Sequence, residues 1–192
     1  LSLVGSEMCI RDRVMNSISG ELLNGGLTVL NGGTVTMNAK GSTGTLDYSK
    51  VAFANKVGAF KLDLEKSKVT LTNSGQNISD NLAADLDGAS TLNLTGSGDS
   101  VDWSNLTGDE GSTVFLTNSS TTDRTLTIKN IAEGFDGTSK FRGFDFTFGA
   151  NSNPTHADLL AGHTFEFLNS NLTANGLSTV ERLTLRENSS LS

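Results

Sequence analysis

The sequence predicts an all-β chain wound as a β-solenoid with rungs of about 20 residues, and three observations predict it. Short packets of apolar residues alternate with polar ones, the period that turns one face of a strand inward. Clusters of Asn, Gly and Ser bound the packets, as turns demand. The packets also recur: the steps from Leu71 to Leu94 to Leu116 are 23 and 22 residues, and those from Phe146 to Phe167 to Leu185 are 21 and 18. Such an interval marks a coil whose rungs stack ~4.8 Å apart and bury their apolar stripes against one another.

The N-terminal run LVGSEMCIRDR, Leu3 to Arg13, resembles the translation of a tagmentation sequencing adapter. Residues 1–13 are therefore set aside as a non-native segment, and residues 14–192 are read as one solenoid fragment, truncated at both ends. Cys9 is the only cysteine and leaves with that segment, so disulfides are not expected. Its charges, Glu7, Arg11, Asp12 and Arg13, cancel.

Along the chain the clearest packets are Leu27 to Val29, Val35 to Met37, Phe60 to Leu64, Val69 to Leu71 and Leu92 to Leu94. They continue through Val114 to Leu116, Leu126 to Ile128, Phe144 to Phe148, Phe165 to Phe167 and Leu183 to Leu185. Each has an apolar side and a side of Thr, Asn, Asp or Glu. Asn73, Asn118 and Asn169 follow three of these packets and are expected at equivalent corners, where they could stack as a ladder. Two helical turns are predicted as insertions. One runs from Asn153-Pro154 through His156 to Ala161, closed by Gly162. The other rests on the spacing of Ile78, Leu82 and Leu86.

Composition narrows the class. Asn, Gly, Ser and Thr make up 85 of 192 residues and charged residues only 18%, against about 25% in an ordinary globular domain. That texture belongs to low-charge secreted β proteins. A net charge of −7 argues against nucleic acid as a partner. No run approaches the ~18 apolar residues of a membrane helix, so this segment is not expected to enter a bilayer.

The texture of Asn-Gly-Gly at 24–26 and 31–33, Gly-Ala-Ser-Thr-Leu-Asn-Leu-Thr-Gly at 88–96 and Thr-Leu-Thr-Ile at 125–128 resembles the passenger regions of bacterial autotransporter and filamentous-haemagglutinin-like adhesins. The resemblance covers most of residues 20–192 and rests on style rather than on a diagnostic motif. It implies a right-handed parallel β-helix displayed outside the outer membrane, in a parent protein anchored there, serving as stalk or adhesive surface. The implied partner is a host or environmental surface glycan or protein, met through many weak contacts along an extended polar face. A solenoid cut at both ends exposes strand edges and core, so the isolated fragment is expected to be marginal and aggregation-prone.

Catalysis has no positive signature, and the chain is expected not to be an enzyme and to need no cofactor. It contains no nucleophile elbow and no phosphate loop. The best carboxylate pair is Asp145 and Glu166, 21 residues apart. Stacked one rung apart they would stand ~5 Å from each other, the separation a retaining glycosidase uses, but two solvated carboxylates explain them equally simply. Asp99, Asp102, Asp109 and Glu110 lie in the Gly/Ser-rich stretch 96–112, where oxygen ligands would suit calcium. A plain acidic loop is the simpler account, with Trp103 as its packing anchor. His156 and His163, with Asp158 between them, read as surface loop residues before they read as metal ligands. The Asn-x-Ser/Thr triplets are as frequent as this composition predicts and do not establish glycosylation.

The alternatives are a carbohydrate-active β-helix enzyme, a phage tail fibre or spike segment, and an ice-binding solenoid. For the last, Thr34/Thr36, Thr70/Thr72 and Thr125/Thr127 each turn two hydroxyls outward, but at no constant interval.

Overall fold

The computed structural model describes residues 8–16, 26–54, 58–75, 77–78, 81–121, 125–149, 163–175 and 182–192. The strands are β1 (Met8–Met15), β2 (Leu27–Lys40), β3 (Thr43–Asp47), β4 (Val51–Phe53), β5 (Ala59–Glu65) and β6 (Lys68–Thr72). They continue as β7 (Leu82–Asp87), β8 (Thr91–Gly96), β9 (Ser100–Trp103), β10 (Leu106–Gly108), β11 (Thr113–Asn118) and β12 (Thr127–Ile131). The last are β13 (Thr138–Arg142), β14 (Asp145–Gly149), β15 (Thr164–Leu168), β16 (Asn171–Asn175), β17 (Arg182–Arg186) and β18 (Ser190–Leu191). A 3-10 turn, Tyr48–Lys50, lies between β3 and β4.

Every ladder among the described residues is parallel, and strands follow one another around three faces rather than side by side. The first face is ordered β1-β2-β5-β7-β10, with β4 beside the start of β2. The second holds seven strands in the order β17-β15-β13-β11-β8-β6-β3. The third is built from β9-β12 and β14-β16-β18, joined where Thr125 bridges Asp145. Parallel neighbours one circuit apart in sequence make a β-solenoid, as the alternation and recurrence predict.

Alternation decides which side chains enter the coil. In β5, Phe60, Leu62 and Leu64 are buried while Lys61 and Asp63 are exposed. On the second face, in-register pairing stacks Leu46, Leu71, Leu94, Leu116, Phe141, Phe167 and Leu185 in one inward column. A second column runs Val69, Leu92, Val114, Ser139, Phe165 and Leu183. Each buried side chain thus meets equivalents above and below, the repeated contact that no rung supplies alone.

Two expectations change here. Ile78, Leu82 and Leu86 do not form a helix: Leu82–Asp87 is strand β7, with Leu82, Ala84 and Leu86 buried and paired to Phe60, Leu62 and Leu64. A step of four residues is even and satisfies a strand's period as well as a helix's; the neighbouring strand decides. The apparent rung from Phe146 to Phe167 is also not the register. Phe146 pairs with Leu172, and Phe167 with Phe141. The helical turn expected around Pro154 lies outside the described residues.

The ladder includes β1, whose residues 8–13 belong to the run set aside on sequence grounds. Parallel pairing needs only backbone N–H and C=O groups, which nearly any sequence supplies.

Corners are where the coil needs polar chemistry, because backbone groups leave the ladders inside a dry core. Ser67, Ser90 and Ser112 fill one corner column, all buried. The Ser90 hydroxyl accepts the Ser67 amide at 3.1 Å and donates to the carbonyls of Leu64 and Asp87. Ser67 does the same for Ser42 at 3.0 Å. Ser170 and Ser189 repeat the device at the next corner, where the Ser189 hydroxyl accepts the Ser170 amide at 3.1 Å. The first column passes through Gly137, where a Cβ would stand 2.6 Å from the Ser112 carbonyl oxygen, so only glycine fits.

Candidate functional site

Among the described residues the sheet with the most strands is the seven-stranded face, and register dictates the composition of its outward side. One outward column reads Thr43, Lys68, Thr91, Thr113, Thr138, Thr164 and Arg182. At the other end of the strands Asp47 pairs with Thr72, and Thr95 with Thr117 and Arg142, the line closing on the buried Leu168 and then Arg186; between them run Thr45, Thr70, Asn93, Phe115, Lys140, Glu166 and Thr184. Hydroxyls in a column are spaced ~4.8 Å apart, and alternate residues along a strand roughly 6.6 Å. Asn93 Nδ2 donates to Thr70 Oγ1 at 3.3 Å, linking two rungs on the surface itself.

Toward β13–β17 the face becomes charged. Glu166 sits between Lys140, at 2.8 Å, and Arg186, while Arg142 pairs with Glu187 at 2.8 Å and stacks over Phe115, 5.5 Å from the ring centroid. Partial burial pushes the Glu166 carboxyl up, but Lys140 and Arg186 outweigh it and hold the group below its ordinary value. A carboxylate pinned between two cations stays ionised at neutral pH and is a poor proton donor.

The structure does not bring Asp145 and Glu166 together. Glu166 stands in mid-β15 beside Lys140 and Thr184 on the second face. Asp145 begins β14 on the third face, paired with Asn171, whose Nδ2 donates to Asp145 Oδ1 at 2.9 Å. The one-rung register required of a carboxylate pair is absent, because one circuit here runs the longer way from Phe141 to Phe167.

Asp99, Asp102 and Asp109 separate as well. Asp99 is exposed in the bend before β9. Asp102 accepts the amide and hydroxyl of Ser104, and its own amide donates to Asn77 Oδ1 at 2.9 Å. Asp109 takes the Ser112 hydroxyl and the Gly88 amide, each at 2.6 Å, and these bonds hold its carboxyl below the ordinary value. Among the described residues no three His, Cys, Asp or Glu side chains gather as a metal cluster. Trp103 is fully buried and stacks on Phe141 at 5.3 Å, the packing role expected of it. His163 is a correction: it is buried rather than a surface residue, with Nδ1 3.2 Å from the Phe135 carbonyl. His156 and Asp158 lie outside the described residues.

The three Asn corners do share one column, at the C-terminal ends of β6, β11 and β15, and Asn73 and Asn169 have positive φ of 56° and 47°. They form no continuous ladder. Gly143 stands between Asn118 and Asn169, and Asn118 Nδ2 donates to the Gly143 carbonyl at 2.9 Å. The threonine columns escape the sequence pattern because the Thr-x-Thr pairs that stand out in it belong to three different faces. The usable signal is the single Thr opening β8, β11, β13 and β15.

Fold and face together define a parallel β-solenoid whose seven-stranded face turns threonine hydroxyls outward in columns. The chain matches no protein-family model, no curated protein and no solved structure.

Proposed function

We propose that this chain is a non-catalytic segment of a secreted or cell-surface bacterial protein, structural and adhesive, of the passenger type its sequence resembles. It meets a glycan or protein on a host or environmental surface through the outward side of the seven-stranded face, and its parent protein is held at the outer membrane. The observation that carries this reading is the in-register stacking of Thr91, Thr113, Thr138 and Thr164 beside Thr95 and Thr117. Such columns offer one weak contact many times over, the arrangement in which repetition multiplies affinity. Beads coated with the protein are expected to adhere to cultured cells or to immobilised extracellular glycans and proteins. The double substitution Thr113→Lys/Thr138→Lys should cut that adhesion about tenfold. Adhesion untouched by these lysines, or none on any surface, would sink the reading.

The same columns favour a second reading, contact with an ordered surface such as ice, because two roughly fixed spacings face outward together. Thermal hysteresis in freezing solutions separates the two: a contact specific to biological surfaces gives none.

A further inference from the structure

Away from the threonine columns, a cleft of about 470 Å³ opens beside the Tyr48–Lys50 turn, walled by Asn73, Ser74, Gly75, Asn77, Asn81 and Leu82. Two aromatic rings form its apolar wall. Tyr48 and Phe53 lie 6.5 Å apart, tilted by 50°, and Tyr48 is braced edge-on against the buried Phe60 at 5.9 Å.

Three asparagines supply the polar wall, and each is held by one half of its amide. Asn73 Nδ2 donates to Asp47 Oδ1 at 2.9 Å, Asn81 Nδ2 donates to the Gly58 carbonyl at 2.6 Å, and Asn77 Oδ1 accepts the Asp102 amide at 2.9 Å. These bonds fix the side chains. They leave the oxygens of Asn73 and Asn81 and the NH₂ of Asn77 without another partner among the described residues, so the cleft offers acceptors and donors already in place.

The lining fixes the chemical class of occupant. None of the described residues lining the cleft is charged, and the Asp47 carboxylate behind Asn73 is taken up by Ser49 and Asn73 themselves, so the described lining favours a neutral occupant. A wholly apolar ligand would desolvate the amides without pairing them, at a cost. A molecule with a flat C–H face and a rim of hydroxyls satisfies both walls, and the volume suits one or two sugar rings. We propose that this cleft is a binding site for a neutral saccharide, one ring seated against Tyr48 and Phe53 with its hydroxyls on Asn73, Asn77 and Asn81. The proposal rests on the adhesive reading for the source of the sugar, and on the cleft alone for the site.

The test is saturation-transfer NMR on the full chain with cellobiose, maltose, lactose and chitobiose at millimolar concentration, beside the bead assay. At least one disaccharide should receive saturation. Phe53→Ala and Asn73→Gly should each weaken its binding about fivefold; glycine suits the positive φ of 56° at position 73, so that variant keeps its backbone. Thr113→Lys/Thr138→Lys should leave the sugar signal unchanged. No transfer to any of the four sugars, or transfer that survives Asn73→Gly, overturns the saccharide site whatever the beads do. Sugar binding lost on Asn73→Gly, with adhesion indifferent to the lysines, keeps the cleft and discards the adhesive face.

Discussion

The rungs carrying β6, β8 and β11 and those carrying β13 and β15 solve the same packing problem differently. In the first group the inward pairs are Val69 and Leu71, Leu92 and Leu94, Val114 and Leu116, nearly interchangeable and almost evenly spaced along the chain. In the second they are Ser139 and Phe141, Phe165 and Phe167, on longer circuits. Rings there meet at particular angles: Phe141 stacks on Trp103 within 4° of parallel, and Phe146 meets Phe167 edge-on at 4.9 Å and 71°. The outside changes too, from neutral hydroxyls to the ion pairs around Glu166. Aliphatic rungs stack by area, so any similar rung fits; aromatic rungs stack by shape, so each is fitted to its own neighbours.

The contrast is most sharply tested by Phe141→Ala, expected to lose about 3–5 kcal/mol, because Phe141 touches Trp103, Phe146, Phe165 and Phe167. In the same denaturant titration it should lose more than Leu92→Ala by a margin greater than the difference in buried area accounts for; losses in proportion to area would mean that ring geometry adds nothing. Next comes Ser90→Ala, expected to cost about 1–3 kcal/mol by stranding the buried Ser67 amide and removing the hydroxyl's bond to the buried Leu64 carbonyl. A neutral result in a thermal melt would show that the corner serines are dispensable.

Ser139→Ala should go the other way. Its hydroxyl is buried between Val114 and Phe165 with no hydrogen-bond partner among the described residues, so removing it is expected to stabilise by about 1 kcal/mol. A lower melting temperature would show that the hydroxyl is satisfied after all.

The smallest effect lies on the first face, where Asp63 pairs with Asp85 and Glu65 with Asp87. Asp85, with burial, Asp109, Asp63 and Glu65 behind it, raises the Asp87 carboxyl above its ordinary 3.8. A raised acid is a strained anion in the folded state: it lowers stability at neutral pH, and protonation relieves the strain as pH falls through the raised value. Asp87→Asn should therefore stabilise at pH 7 by no more than about 0.5 kcal/mol. That gain should shrink with added salt and close as pH falls toward the ordinary carboxylate range. A gain indifferent to salt and pH would refute the electrostatic cause. Glu65, Asp109 and Glu166 are lowered instead, so the stability they add is present above their ordinary values and lost as pH falls through the lowered ones.

The strand packets are legible because period-two alternation is local: Phe60-Lys-Leu-Asp-Leu fixes its inward side without help from any neighbour. Register is not local, and the features that depend on it do not show in the sequence. Asp145 and Glu166 stand closer along the chain than one circuit of their stretch, which runs from Phe141 to Phe167. Thr91, Thr113, Thr138 and Thr164 share one column, yet their spacing along the chain is too uneven to be seen as a series. Strand β13 escapes the pattern because Ser139 occupies a position that the strands on either side, β11 and β15, fill with Val114 and Phe165. The serine corner leaves a fainter trace: Ser67, Ser90 and Ser112 each precede Leu71, Leu94 and Leu116 by four residues. Asn draws attention instead, as the commoner turn residue, yet Gly96 and Gly143 take the places between the Asn corners.

The serine hydroxyls bond their own corner and the rung beside it, never a rung two turns away. Duplicating or deleting one of the turns that carry Ser67, Ser90 and Ser112 therefore leaves such a contact with a partner of the same kind, whereas a single-residue slip removes it. Among the aliphatic turns, length is a heritable setting: gene-level copying of one of them lengthens the coil by one ~4.8 Å step without a new core having to be invented.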